Sequence, residues 1–218
     1  AFTTALLSDP LIDIKYNLHH AEILDNLPEG AFITISNHPI GSIDGIILID
    51  IMAARRPDFK VMVNEILVKI GAMKDNFVSV LPDSTGNGPN PANINGVRYS
   101  LQRLKEGHPM GFFPAGAISF YNKDDKEIHD LPWTHSVIRL IRKANVPVIP
   151  IYFKGSNSML FQILGMIHPM LRTVKLPSEL LNKKNRVIKL RVGNPISVET
   201  QNSFADLIQY GKFLRAKT

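Results

Sequence analysis

Two residues in this 218-residue chain, His38 and Asp44, have the types and spacing to move a proton. An imidazole takes a proton from a hydroxyl near neutral pH when a carboxylate holds its other nitrogen and stabilises the charge that forms. The stretch from Ala31 to Gly45, AFITISNHPIGSIDG, says how such a pair would be held. Ala31 to Ile35 is apolar and β-branched and suits a buried strand. Pro39 cannot continue a sheet ladder. Asp44 then opens a second apolar run, Ile46 to Met52, which reads as a helix. His38 is therefore expected at the carboxyl end of a strand and Asp44 near the start of the next helix, with Gly41 letting the loop turn sharply. A loop histidine beside a helix-capping aspartate has the same spacing, so the pair alone leaves both readings open.

The rest of the chain reads as the frame for this loop. Residues 1 to 27 are expected to form a helical arm of two short helices broken at Asp9-Pro10. From residue 28 the pattern alternates. Strands are expected at 59–63, 76–81, 109–113, 146–153 and 186–192, and helices at 64–70, 92–105, 133–143 and 198–217. Such alternation predicts an α/β fold with a mainly parallel central sheet flanked by helices, as a single domain over residues 1–218. Pro147 and Pro150 place the 146–153 strand at an edge or a strand end. The turn-rich stretch from Pro82 to Pro91 contains Gly86-Asn87-Gly88, but Pro89 and Pro91 remove donors that a phosphate cradle uses. It reads as a substrate-side or lid loop. Residues 120 to 132 are charged and read as a solvated loop without chemistry. Ser158 to Leu171 is apolar around nearly its whole circumference, which suits a buried core helix and an acyl-contacting or interfacial helix equally.

Composition narrows the function classes. Hydrophobic residues make up 44% and charged residues 20%, an ordinary globular balance. Cysteine is absent, so disulfides and thiolate metal sites are excluded. His19-His20 has no further ligand nearby, and no metal is expected. The net charge of +6 favours an anionic partner. Nucleic acid ranks last, because basic and aromatic residues do not interleave. An anionic membrane surface is the expected partner. No apolar run reaches the ~18 residues needed to cross a bilayer. The first ten residues lack the basic start of a signal peptide, and the absence of an initial methionine leaves room for a preceding segment and any anchor it carries. The expected location is cytoplasmic, peripheral to the inner face of the membrane.

Four blocks carry a resemblance. Asn37 to Gly45 resembles the His/Asp motif of the glycerolipid (lysophosphatidic acid acyltransferase-like) acyltransferase superfamily. Most members place four residues between histidine and aspartate. The five found here resemble the hemolysin-like branch, which includes O-acyltransferases of ornithine and glycine lipids. Phe113-Pro114-Ala115-Gly116 resembles the superfamily's phenylalanine-proline-x-glycine turn, with Ala115 where many members carry glutamate. Acceptor contacts made by that carboxylate do not carry over. The proline-containing strand from Val146 resembles the fourth block, and Gly155-Ser156-Asn157-Ser158 the glycine-x-asparagine-serine of the hemolysin-like branch. Gly193-Asn194-Pro195-Ile196 resembles a late glycine-x-proline-isoleucine turn. The similarity spans residues 30 to 197.

The resemblance implies transfer of a fatty acyl group from a thioester, on coenzyme A or acyl carrier protein, to the hydroxyl of a lyso-lipid. That acceptor is an amino-acid lipid such as lyso-glycine or lyso-ornithine lipid, or a lysophospholipid. His38 is the implied general base and Asp44 the group that fixes its tautomer. Backbone amides near Gly116 are candidates for the oxyanion. Asn37, Gly41, Phe113, Pro114, Ala115, Gly116, Gly155, Asn157 and Ser158 are the implied substrate-binding positions. No cofactor is implied beyond the thioester co-substrate, and the chain has no G-x-S-x-G elbow. Basic residues between Arg172 and Arg191 are available for an anionic head group or the carrier's phosphates. A peripheral lipid-binding protein without turnover, or an acyl-thioesterase using the same pair, would fit the same residues.

Overall fold

The computed structural model describes residues 2–64, 75–80 and 91–218. Its strands are β1 (Lys15–His19), β2 (Ile33–Ser36), β3 (Lys60–Asn64), β4 (Phe77–Val80), β5 (Met110–Phe112), β6 (Phe120–Tyr121), β7 (Ile128–His129), β8 (Val148–Lys154) and β9 (Val187–Val192). Its helices are α1 (Phe2–Leu7), α2 (Ser42–Ala53), α3 (Pro91–Lys105), α4 (His135–Ala144), α5 (Met159–Ile167), α6 (Pro169–Leu181), α7 (Val198–Asn202) and α8 (Leu207–Lys217). Among the described residues a seven-stranded sheet runs in the order β1-β9-β8-β2-β5-β3-β4. Every pairing in it is parallel except β8 with β9.

Side chains alternate across each strand, so β2 feeds two cores. Phe32, directly before β2, joins Ile47, Met52, Phe59 and Ile149 on one face of the sheet. Ile33 and Ile35 join Phe112, Ile138, Tyr210 and Leu214 on the other. Helices thus cover both faces, as the alternating sequence predicts. β2 lies between β8 and β5 at the middle of the sheet, and its carboxyl end delivers His38 to the crevice where open α/β sheets bind ligands.

The structure departs from the sequence reading in five places. The second arm helix is instead β1, paired in parallel with β9 from Lys15↔Val187 to His19↔Arg191, followed by a 3-10 turn over Ala21–Asn26. The strand at 146–153 is interior, between β9 and β2. Pro150 is tolerated there because its N side faces the turn at Gly193, whose amide donates to Pro150 O at 2.8 Å. β9 has already ended at that level, so the missing donor breaks no ladder bond. The apolar run at 158–171 is broken at His168-Pro169 into α5 and α6, since a residue before proline avoids helical backbone. His168 is extended and caps α6, its Nδ1 accepting from Met170 N at 3.1 Å. The final helix is likewise two, with Asp206 capping α8. The fifth departure, at 120–132, is a short β6–β7 hairpin that ends in a buried aspartate. Asn64 closes β3, and the remainder of the helix expected over 64–70 lies outside the described residues, as does the loop from Pro82 to Asn90.

Candidate active site

The loop between β2 and α2 is shaped around one carboxylate. Asp44 is fully buried, and its Oδ2 accepts the backbone amides of Ile40 at 2.8 Å and Gly41 at 2.9 Å. In return the Asp44 amide donates to Gly41 O at 3.0 Å, closing the first turn of α2. A carboxylate at the third position of a helix commonly reaches back this way, and here it also faces the positive end of the helix. Gly41 adopts φ +101°, a conformation L side chains rarely take. A Cβ there would lie 2.8 Å from Ile118 Cδ1 and 3.0 Å from Leu176 Cδ2. Only glycine fits the turn.

That turn brings His38 Nδ1 to 3.1 Å from Asp44 Oδ2. The contact is in ion-pair range but lacks hydrogen-bond alignment, and Nδ1 and Asp44 Oδ1 are both buried without another partner among the described residues. Catalytic hydrogen bonds are often misaligned before substrate binds and tighten afterwards. The imidazole is 16% exposed, and its ring lies 4.3 Å from that of Phe113, tilted by 33°. With Nδ1 turned to the carboxylate, Nε2 is the nitrogen left for a substrate proton.

A second carboxylate, which the sequence reading passed over, holds the histidine's backbone. Asp130 is buried at the end of the β6–β7 hairpin. Its Oδ1 accepts the His38 amide at 3.1 Å and the Ser119 hydroxyl, and its Oδ2 accepts Trp133 Nε1 at 3.4 Å. The Ser119 amide donates to His38 O at 2.8 Å. The usable signal was an aspartate directly before the apolar Leu131-Pro132-Trp133, hidden by the charged run around it.

The implied substrate-binding positions fall into three groups. Phe113 to Gly116 form a turn beneath the imidazole. The Gly116 amide, at φ +68°, donates to Phe113 O at 3.0 Å, and Pro114 O accepts Thr134 N at 2.9 Å. Ala115 is buried. The Gly116 amide is therefore committed to the turn, whereas those of Ala117 and Ile118 have no acceptor among the described residues. Asn37 clamps β8: its Nδ2 donates to Phe153 O at 2.9 Å and its Oδ1 accepts Phe153 N at 2.7 Å. Gly155 to Ser158 back the His38 loop from the other side. Gly155 packs under Ile40, and Asn157 Nδ2 donates to Ile40 O at 3.2 Å.

Ser158 connects this last group to α6. Its amide and hydroxyl donate to Glu179 at 2.8 and 2.6 Å, and the hydroxyl oxygen caps α5 by accepting Phe161 N. Glu179 is 1% exposed and also lies 3.8 Å from Lys175 Nζ and 3.7 Å from Lys183 Nζ. Burial pushes its carboxyl up, but the bonds from Ser158 and the two ammonium groups outweigh this and hold it below the usual range. Among the described residues no group of three or more His, Asp or Glu side chains is placed to hold a metal. No helix among them is long and apolar enough to cross a membrane.

The arrangement suits proton abstraction from a hydroxyl, and the turn after Phe113 leaves backbone amides without acceptors among the described residues, two requirements of acyl transfer. Comparison with known proteins agrees. A family model described as "Acyltransferase" matches residues 12–218. A lyso-glycine lipid O-acyltransferase of Phocaeicola vulgatus is 26% identical over 200 residues, covering 88% of this chain and 69% of that protein. A lyso-glycine lipid O-acyltransferase of Bacteroides thetaiotaomicron is 25% identical over 201 residues, covering 88% and 71%. The crystal structure of the 1-acyl-sn-glycerophosphate (LPA) acyltransferase of Thermotoga maritima superposes with a TM-score of 0.60 at 17% identity, over 94% of this chain and 69% of that one, which shows a shared fold. The chain belongs to the acyltransferase family, within the glycerolipid acyltransferase superfamily.

Proposed function

We propose that the protein moves a fatty acyl group from a thioester, on coenzyme A or acyl carrier protein, to the hydroxyl of a lyso-lipid with an amino-acid head group. The observation that carries this reading is the His38–Asp44 pair, held by backbone amides at the carboxyl end of the central strand. His38 Nε2 takes the proton of the acceptor hydroxyl as its oxygen attacks the thioester carbonyl carbon. The carbonyl electrons collect on oxygen, for which the amides of Ala117 and Ile118 are the candidate donors. Collapse of the intermediate breaks the carbon–sulfur bond, and the leaving thiolate takes the proton from the imidazolium. Asp44 stabilises that imidazolium and keeps its Nδ1–H directed inward. The products are an ester and a free thiol, and the reaction needs no covalent acyl-enzyme.

The relatives named for lyso-glycine lipid support a carboxylate-bearing acceptor, as does Ala115 where many superfamily members carry glutamate. The direct test compares kcat/KM for lyso-glycine lipid and lysophosphatidic acid with one thioester donor. Lyso-glycine lipid is expected to be the better acceptor. A tenfold or greater preference for lysophosphatidic acid, about 1.4 kcal/mol, would contradict that assignment.

The acceptor enters from the inner face of a membrane, at the α5–α6 hairpin. Met159, Leu160, Ile163, Met166, Ile167, Met170 and Val174 are exposed there, Val174 by 74%, whereas Phe161 is buried. The other side of α6 presses Leu176 against Gly41, so one helix faces solvent with apolar residues and touches the catalytic loop with the next. Arg172 in α6 and Lys184 just after it supply charge for anionic lipid. Ile167→Ser with Val174→Ser is expected to weaken binding to phosphatidylglycerol vesicles by tenfold or more, about 1.4 kcal/mol, with the fold intact. Added salt should weaken the wild-type binding. Unchanged binding by the double variant would place the membrane contact elsewhere.

A further inference from the structure

Beside the catalytic loop lies a cavity of about 520 Å³ that the chemistry above does not use. Its polar wall includes Lys154, Asn157, Ser158, Asn182, Lys183 and Arg186. Ile40 closes it on the side of the catalytic loop, while His38 is not among its walls. Lys154 ends β8 and Arg186 precedes β9, so the cavity opens at the same end of the sheet as His38.

The charge there is out of balance. Glu179 is the nearby carboxylate, and it is already shared by Lys175, Lys183 and the Ser158 donors. Lys154 and Arg186 have no carboxylate partner among the described residues. Burial pushes the Lys183 ammonium down, opposed by Glu179 and, more weakly, by the Asp44 carboxylate, while neighbouring Arg186 lowers it further. Lys154 is also paired in register with Lys189 across β8 and β9, and both are exposed on the same face of the sheet. Like charges directly opposite one another weaken a strand pair. Three cations around one cavity, one of them opposite a further lysine, suit an anion of more than one charge.

We propose that this cavity binds the phosphate of the acyl-thioester donor. The inference rests on the acyl-transfer reading and assigns its second substrate a place. A single carboxylate from an amino-acid lipid would leave most of this charge unmatched, whereas phosphate esters match it and suit the guanidinium of Arg186. A site that touches Ile40 but not His38 suits a group joined to the reacting carbonyl by an extended arm. Coenzyme A and the phosphopantetheine arm of a carrier protein share this chemistry.

Titration of the purified protein with coenzyme A, with pantetheine, which lacks phosphate, and with holo-acyl carrier protein tests the assignment. Arg186→Gln is the principal variant, because the Arg186 side chain makes no hydrogen bond among the described residues that folding would miss. Lys183→Gln is the second. Each variant is expected to weaken coenzyme A or holo-carrier binding by tenfold or more, and to raise KM for the donor without raising KM for the lyso-lipid. Loss confined to coenzyme A identifies the free nucleotide as the source, and loss confined to the carrier identifies the protein-borne arm. Pantetheine should bind wild type at least tenfold more weakly than coenzyme A. Donor binding unchanged in both variants, or a rise in KM for the lyso-lipid alone, would overturn the proposal. Binding is read without turnover. A protein that binds coenzyme A through these residues but transfers no acyl group sinks the reaction and keeps the cavity; the converse result sinks the cavity alone.

Discussion

His38→Ala is expected to lower the rate of acyl transfer by about 10³–10⁴-fold, since it removes the group placed to take the acceptor's proton. The His38 imidazole is in a loop, partly exposed, and tilted against Phe113 with 4.3 Å between centroids. Truncation therefore forfeits one aromatic contact and little core burial, about 1–2 kcal/mol of stability. The backbone bonds that hold the position, from His38 N to Asp130 and from Ser119 N to His38 O, do not depend on the side chain. Initial rates and a denaturant midpoint on the same preparation separate the two effects. Near-normal turnover in a folded variant would remove His38 from the mechanism.

Asp44→Asn is expected to cost on the order of 10³-fold in rate, through the charge it removes from beside the histidine. An amide oxygen still accepts the Ile40 and Gly41 amides that Oδ2 accepts now, so the loop keeps its shape at a cost of about 1–2 kcal/mol. That oxygen is also the atom facing Nδ1, so in this orientation the tautomer survives beside a neutral dipole. In the flipped orientation the amide nitrogen takes its place, the Ile40 and Gly41 amides lose their acceptor, Nδ1 must accept, and Nε2 carries the proton and can no longer act as base. The charge that would stabilise the imidazolium is gone in either orientation. A folded Asp44→Asn protein with less than a tenfold loss would show that the carboxylate caps α2 and does no more.

The loop from β2 to α2 was legible in sequence because the residues that set its turn are local. A strand, a proline, a glycine and a helix-opening aspartate fall within fifteen residues, and the alternation of apolar strands and helices fixed the sheet class. Features set by distant partners were not legible. β1 is an edge strand with half-polar alternation, Lys15-Tyr16-Asn17-Leu18-His19, and it becomes a strand only because β9 offers an edge. Pro150 argued for an edge by a rule that fails when the neighbouring strand has already turned away at Gly193. Asp130 looked like one more charge in a solvated loop, and its burial depends on Ser119, Trp133 and the His38 amide meeting from three segments. Ser158 to Leu171 was apolar on every side, so periodicity could not tell core from surface. The break at His168-Pro169 turned part of that face outward.

Thiol release from an acyl-thioester by the wild-type protein, measured with and without lyso-glycine lipid alongside mass spectrometry of the lipid product, separates acyl transfer from its alternatives. Release is expected to depend on the acceptor and to match, mole for mole, an acylated lipid. Equal release without acceptor would make the His38–Asp44 pair a hydrolase site, and no release under either condition would contradict the acyltransferase mechanism itself.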